Sequence, residues 1–304
     1  MKKQIYEFLK NNNYFAHTKS GLDKEPLLSH MELCMTYYNK LNKLYNLDKC
    51  ILNIIKSTFP NITDSSADLI YTLFKEAIYY HDLGKINGNF QTLKMNNKVK
   101  EDNVKDSNHS LLSAKLYIDL CSYPIISKDD CIITLALYNF AYIISRHHGN
   151  INSLDEFISK LEITEIPSKL SNIISNKYLK NNNNLFNDRA KLYKSFTDED
   201  NFDNTSNYIL NKLLFSILTT VDYYATYEYM SGSKIEIEDK KLSLFNNYEN
   251  SELYKLINSY KEGNISLNGI NKLRSDMYIE SSNTIFKSLD NSNIYFLEAP
   301  TGSR

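Results

Sequence analysis

Apolar residues recur at three- and four-residue spacing along nearly the whole chain, and residues that break helices are scarce, with eight glycines and five prolines in 304 residues. That pattern predicts an all-α protein. The clearest helix is expected over residues 65–81, where Ile70, Leu73, Phe74, Ala77 and Ile78 share one stripe. Asp64, Ser65 and Ser66 offer N-caps for it, and Gly84 offers a stop. The polar stretches 181–184 and 198–207 read as loops, and a further helix is expected around residues 273–289. The run Ile294-Tyr295-Phe296-Leu297-Glu298 reads as a buried strand entering a loop, the only convincing strand signal in the chain. A shift in composition near Lys261 and Asn264 divides the chain into residues 1–262 and a shorter segment, 263–304. No internal repeat is visible.

Hydrophobic residues at 42% and charged residues at 23% describe an ordinary globular chain able to bury a large core. No apolar run approaches the roughly 20 residues of a membrane span, and the N-terminus lacks the apolar core of a signal peptide. The four cysteines, Cys34, Cys50, Cys121 and Cys131, show no metal-pair or disulfide spacing, which points to free thiols and a cytoplasmic location. A net charge of −1 argues against a protein that coats nucleic acid through a basic face. It leaves room for a cutting domain that receives its strand from a partner.

The chemistry is expected at the histidines, of which there are six. His81 extends the stripe Ile70, Phe74, Ala77 and Ile78, and Asp82 follows it. His30 heads the stripe Leu33, Cys34, Tyr37 and Leu41; His109 heads Leu112, Ser113, Leu116 and Leu120. His147 closes the stripe Ala136, Phe140, Ile143 and Ile144, with His148 and Gly149 at the helix end. Asp222 falls between Leu218 and Ala225 inside a long apolar run. A lone histidine on an apolar stripe is usually a satisfied core residue, and a lone aspartate a cap or an ion-pair partner. Seven such residues on five helices are harder to satisfy, because an unpaired buried charge costs several kcal/mol and arginines are few. A metal centre satisfies all seven at once, and imidazole with carboxylate suits Mn, Fe, Ni, Co or Zn. Adjacent residues on a helix point about 100° apart, so His81 and Asp82 can share one centre only near a helix end. Gly84 supplies that end, and an aspartate placed there can bridge two cations through its two oxygens.

These residues carry a family resemblance. His81-Asp82-Leu83-Gly84-Lys85, followed by Asn89-Phe90-Gln91, resembles the HD motif of the nuclease domain in the CRISPR-associated type I helicase-nuclease, HD-x-GK with a downstream FQ. Matches continue in order through Leu27-Leu28-Ser29-His30, His109 with Ser113, His147-His148-Gly149 and Asp222, over residues 17–225. The resemblance implies an HD-domain helical bundle and a two-metal site. One ion would be held by His30, His81, Asp82 and Asp222, and the other by Asp82, His109, His147 and His148. Mn, Fe, Ni or Co would be favoured over Zn or Mg. Asp82 and Lys85 would serve catalysis, with Lys85 near the scissile phosphate. Ser113 and Gln91 read as packing or capping residues, and His17 as structural.

The tail Leu297-Glu298-Ala299-Pro300-Thr301-Gly302-Ser303 resembles the opening of helicase motif I, which would continue Gly-Lys-Thr; Arg304 stands there instead. The expectation is a truncated start of a RecA-like helicase domain that uses no ATP. The implied activity is metal-dependent DNA hydrolysis, preferring single strands, in type I CRISPR interference. Single-stranded DNA and the RNA-guided surveillance complex are then the expected partners, and an anti-CRISPR inhibitor is a further one; no membrane partner is expected. The alternatives are an HD-type nucleotide or cyclic-nucleotide phosphohydrolase and a non-catalytic binding module.

Overall fold

The computed structural model describes residues 2–97, 108–122, 128–149, 154–164, 166–167, 170, 203–237 and 246–288. The chain divides into two compact units, Met1–Ile237 and Glu238–Arg304. This division falls earlier in the chain than the expected 262. The reason lies in α10 (Glu252–Lys261), whose single buried residue is Ile257 and whose packing partner is α11 (Gly269–Ser288). Tyr260 donates a 2.7 Å hydrogen bond to Asp276 across that pair. The expected strand at 294–298, the motif-I-like tail and the loop at 181–184 lie outside the described residues.

The first unit is helical, as the spacing predicts. Its elements are α1 (Lys2–Asn11), β1 (Phe15–His17), β2 (Glu25–Pro26), α2 (Leu27–Tyr45), α3 (Leu47–Thr58) and α4 (Asp64–Tyr80). A 3₁₀ turn (Leu83–Ile86), α5 (Gly88–Leu93), α6 (His109–Cys121), α7 (Lys128–Arg146), α8 (Leu154–Glu162) and α9 (Asn204–Ser231) follow. Helix α4 is the central post. It packs against α2, α3, α6, α7 and α9, and its stripe Ile70, Leu73, Phe74, Ala77 and Ile78 is buried. Phe74 meets Phe140 of α7 edge to face at 5.6 Å. Truncating a ring so enclosed would cost about 3–5 kcal/mol.

Local sequence sets the helix ends. Thr63, rather than Asp64, Ser65 or Ser66, caps α4: its side chain accepts from Ser66 N, while its hydroxyl donates to Asp129 at 2.8 Å. The reach of Asp129 across from α7 decides between neighbouring candidates, which sequence spacing cannot do. Asp203 caps α9 by accepting from Ser206 N at 2.8 Å, so the expected loop at 198–207 gives way to helix at Asn204. Asn46, left-handed at φ 52° and ψ 46°, turns α2 into α3.

One correction concerns strands. β1 and β2 form a short antiparallel pair with His17 opposite Glu25. Each is too short to show a period of two, so the pattern did not announce it. Gln91 fastens this pair to the 3₁₀ turn. Its side-chain amide donates to Phe15 O at 2.8 Å and Lys85 O at 2.7 Å, and its oxygen accepts from Phe15 N at 3.1 Å. Among the described residues, no helix is long and apolar enough to cross a membrane.

Candidate metal centre

The end of α4 builds the centre of the site. The helix stops at Tyr80, His81 is its C-cap, and Asp82 opens the 3₁₀ turn at φ −105° and ψ 4°. That change of helix type lets adjacent side chains converge, as the expected helix end requires. Gly84 does more than stop a helix. A Cβ there would overlap the His109 carbonyl oxygen and crowd Ser113, and Gly84 N donates to Ser113 Oγ at 2.8 Å. Glycine is what allows α6 to press its first turn, and with it His109, against Asp82. Ser113 is the packing residue expected.

All seven expected ligands come together. Asp82 is buried at the centre and its two oxygens face different groups. Oδ2 stands 3.2 Å from His30 Nε2 and 3.6 Å from His81 Nε2. Oδ1 stands 3.3 Å from His109 Nε2 and 3.5 Å from His147 Nε2. On the Oδ2 side, Asp222 Oδ1 lies 3.2 Å from His30 Nε2 and 3.8 Å from His81 Nε2. His148 completes the Oδ1 side, where Asp82, His109, His147 and His148 each bring a donor atom within 4.8 Å of the others. Helix α9 presents Asp222 because its rotation is pinned: Tyr37 donates to Glu228 at 2.6 Å and packs on Tyr224.

The donor atoms are held ready. His81 Nδ1 donates to Ile78 O at 2.8 Å and His147 Nδ1 to Ile144 O at 2.6 Å. With Nδ1 engaged by a carbonyl of its own helix, each ring turns its Nε2 inward. Nε2 of His81, His109 and His147 are buried without a hydrogen-bond partner, as is Asp82 Oδ1. Orphaned polar atoms converging on one point are costly unless a cation joins them. Donors sharing one ion at 2.0–2.2 Å stand about 3 to 3.5 Å apart, close to the separations found here. The two clusters, one around His30, His81 and Asp222 and one around Asp82, His109, His147 and His148, could each hold a metal ion.

Electrostatics agree. Burial pushes the Asp82 carboxyl upward, but Lys85 and the surrounding histidines hold it well below the usual range. Asp222 follows the same pattern, burial being outweighed by hydrogen bonds from His30 and His81. Burial lowers His109, and burial together with the neighbouring His147 lowers His148 to about 4 although it is the exposed member. His30 is the exception. Burial disfavours its charge, yet the neighbouring Cys34, Asp222 and Asp82 raise it well above the ordinary value. Burial also pushes the Cys34 thiol upward and keeps it neutral, so the two aspartates are the charges that act on His30.

Lys85 is buried. Its ammonium lies 2.8 Å from Asp82 Oδ2 and 3.2 Å from His17 Nε2. The Phe90 ring lies 5.9 Å from the Lys85 ammonium and 5.0 Å from the His109 ring. Three residues at the site were not singled out as part of it. Glu25 is buried, accepts from His17 Nδ1 at 2.6 Å and stands 3.4 Å from His30 Nδ1. His17, read as structural, lies edge-on to His30 at 4.8 Å. Cys34 Sγ is 3.6 Å from His30 Nε2. The spacing His30-x-x-x-Cys34 could have revealed the cysteine; nothing in the sequence reveals Glu25, which only the β1–β2 register brings in. No protein-family model, curated protein or solved structure matches this chain.

Proposed function

We propose that this protein is an HD-type, metal-dependent nuclease that hydrolyses phosphodiester bonds of single-stranded DNA. The observation that carries the reading is the division of Asp82: one carboxylate oxygen faces His30 and His81, the other His109 and His147. Two bridged cations would supply a water of lowered pKa and a clamp for the phosphodiester oxygens. Asp82, His30, His81 and Asp222 would hold one, and Asp82, His109, His147 and His148 the other. Imidazole and carboxylate donors favour Mn, Fe, Ni or Co, with no part for ATP. Lys85 is the proposed contact to the scissile phosphate, its ammonium already standing at Asp82. The resemblance of the HD-x-GK, FQ and HHG elements to the type I CRISPR helicase-nuclease supports DNA as substrate and a role in interference against foreign DNA. On that reading an RNA-guided surveillance complex would bring the strand, and an anti-CRISPR protein could block the site.

The near-neutral charge favours a second reading, hydrolysis of a nucleotide or cyclic nucleotide by the same centre. The decisive experiment offers circular single-stranded DNA, nucleoside triphosphates and cyclic nucleotides across a metal series, with a chelator control. Metal-dependent loss of circular DNA with untouched nucleotides is the expected result. Turnover confined to nucleotides would replace the nuclease reading by the second.

A further inference from the structure

Cys34 stands one helical turn after His30, on the same face of α2. It is fully buried, and its Sγ is 3.6 Å from His30 Nε2, the ring atom that also faces Asp82 and Asp222. His30, Cys34, His81 and Asp222 each bring a donor atom within 4.8 Å of the other three. His81 Nε2, buried and without a hydrogen-bond partner, points into the same cluster. Imidazole nitrogen and thiolate sulfur that hold one ion at about 2.0–2.1 and 2.3 Å, at a tetrahedral angle, stand about 3.6 Å apart. A weak hydrogen bond from thiol to Nε2 also fits that distance. It would consume the nitrogen that two aspartates surround, and it would leave His81 Nε2 unanswered.

We propose that Cys34 is a sulfur ligand of the His30–His81–Asp222 half of the centre, which makes that half selective for thiophilic divalent cations. The inference rests on the metal-centre reading above and deepens it. As the sulfur–metal bond forms, the thiol proton leaves to solvent, and no electron is transferred. One soft donor among nitrogens and carboxylates shifts preference toward Zn(II), Co(II) and Fe(II) and away from Mn(II) and Mg(II). The half around His109, His147 and His148 has no sulfur among its described donors and keeps the harder preference.

The test loads metal-free protein with Co(II) and records its absorption spectrum and its bound cobalt. Wild type is expected to show visible ligand-field bands together with a near-ultraviolet thiolate-to-cobalt charge-transfer band. Cys34→Ser should lose the near-ultraviolet band while still binding cobalt, whereas Cys50→Ser at an exposed thiol should keep it. The same Cys34→Ser change should lower the ratio of Zn(II) to Mn(II) affinity about tenfold, within the range by which single supporting groups tune metal sites. Cobalt bound by wild type without the near-ultraviolet band would overturn the proposal whatever the fate of the variant, and leave the metal centre standing. A band that survives in Cys34→Ser would overturn it equally. Wild type that binds no divalent ion would overturn the metal centre itself and this proposal with it.

Discussion

The two halves of the centre share Asp82 and little else. The half on Oδ2 is built deep: His30 and His81 are fully buried, and Asp222 is 14% exposed on a helix locked by Tyr37 and Glu228. The half on Oδ1 opens outward, with His109 14% exposed and His148 exposed at the end of α7. Their electrostatics differ in the same sense. Carboxylates raise His30, while burial lowers His109 and His148. A deep, anionic half suits a cation that stays; an open half suits one that meets solvent and substrate. The asymmetry gives the centre an inside and an outside, which a substrate approaching from solvent would use.

The largest expected effect removes what the halves share. Asp82→Ala should reduce metal-dependent cleavage of circular single-stranded DNA to background while leaving the helical circular dichroism intact. A variant that cuts at the wild-type rate would end the bridged-centre reading. Gly84→Ala comes next. It forces a Cβ against the His109 carbonyl and Ser113, an overpacking that costs typically about 1–3 kcal/mol. Because the strain falls between the turn that carries Asp82 and the helix that carries His109, the open half should lose affinity before the deep one. Thermal melting and stepwise metal titration of this variant check both statements; unchanged melting and unchanged affinities would mean that the close approach at Gly84 is not what seats α6.

Much of this site was legible because its signal is local. Four of the seven residues, His30, His81, His109 and His147, extend apolar helical stripes, so period 3.6 places them on inward faces, and His30, His81 and His147 are buried. Asp82 followed from its position beside His81 at a helix end. What escaped depends on pairings across the chain. Glu25 reaches the site through a strand pair of three and two residues, too short to leave a pattern. Thr63 caps α4 because Asp129 receives its hydroxyl, a contact 66 residues away in sequence. The contact of Lys85 with His17, 68 residues away in sequence, escaped for the same reason.

Acidity should separate the halves. Without a cation, His30 holds its proton more tightly than a free imidazole does, and an ion entering the deep half must displace it. Below the folded pKa of His30, which lies above 6.5, that half should lose affinity by about tenfold per pH unit, one proton being released per ion bound. His109 and His148 sit below 6.5, His148 at about 4, so those two rings offer the open half no proton to displace near neutrality. Stepwise metal titrations at pH 7.5 and 5.5 should show one strongly weakened event and one weakened much less. On the proposed two-ion mechanism, cleavage should fall with the more sensitive half. Two events equally insensitive to pH would contradict the assignment of His30 to the deep one.

The smallest expected effect tests how each half is oriented. His81 and His147 are aimed by main-chain carbonyls of their own helices, which no side-chain substitution removes. His30 Nδ1 makes no such hydrogen bond and instead faces a carboxylate, Glu25 Oε2 at 3.4 Å, which is itself held by His17 at 2.6 Å. Glu25→Gln keeps an oxygen in place and removes the charge that favours a proton on Nδ1 and hence a free Nε2. Losing an outer partner of a metal-binding histidine typically costs about 10–100-fold in affinity, and the conservative change should fall near the lower end. The loss should appear in the deep half alone, because the partners of Glu25 are His17 and His30. Glu25→Ala, which removes oxygen and charge together, should double the logarithm of the loss if both contribute equally. Isothermal titration with Mn(II) or Co(II), resolved into its two binding events, measures the split. Equal weakening of both events would mean that Glu25 supports the fold of the whole centre; weakening confined to the first makes it the residue that sets His30.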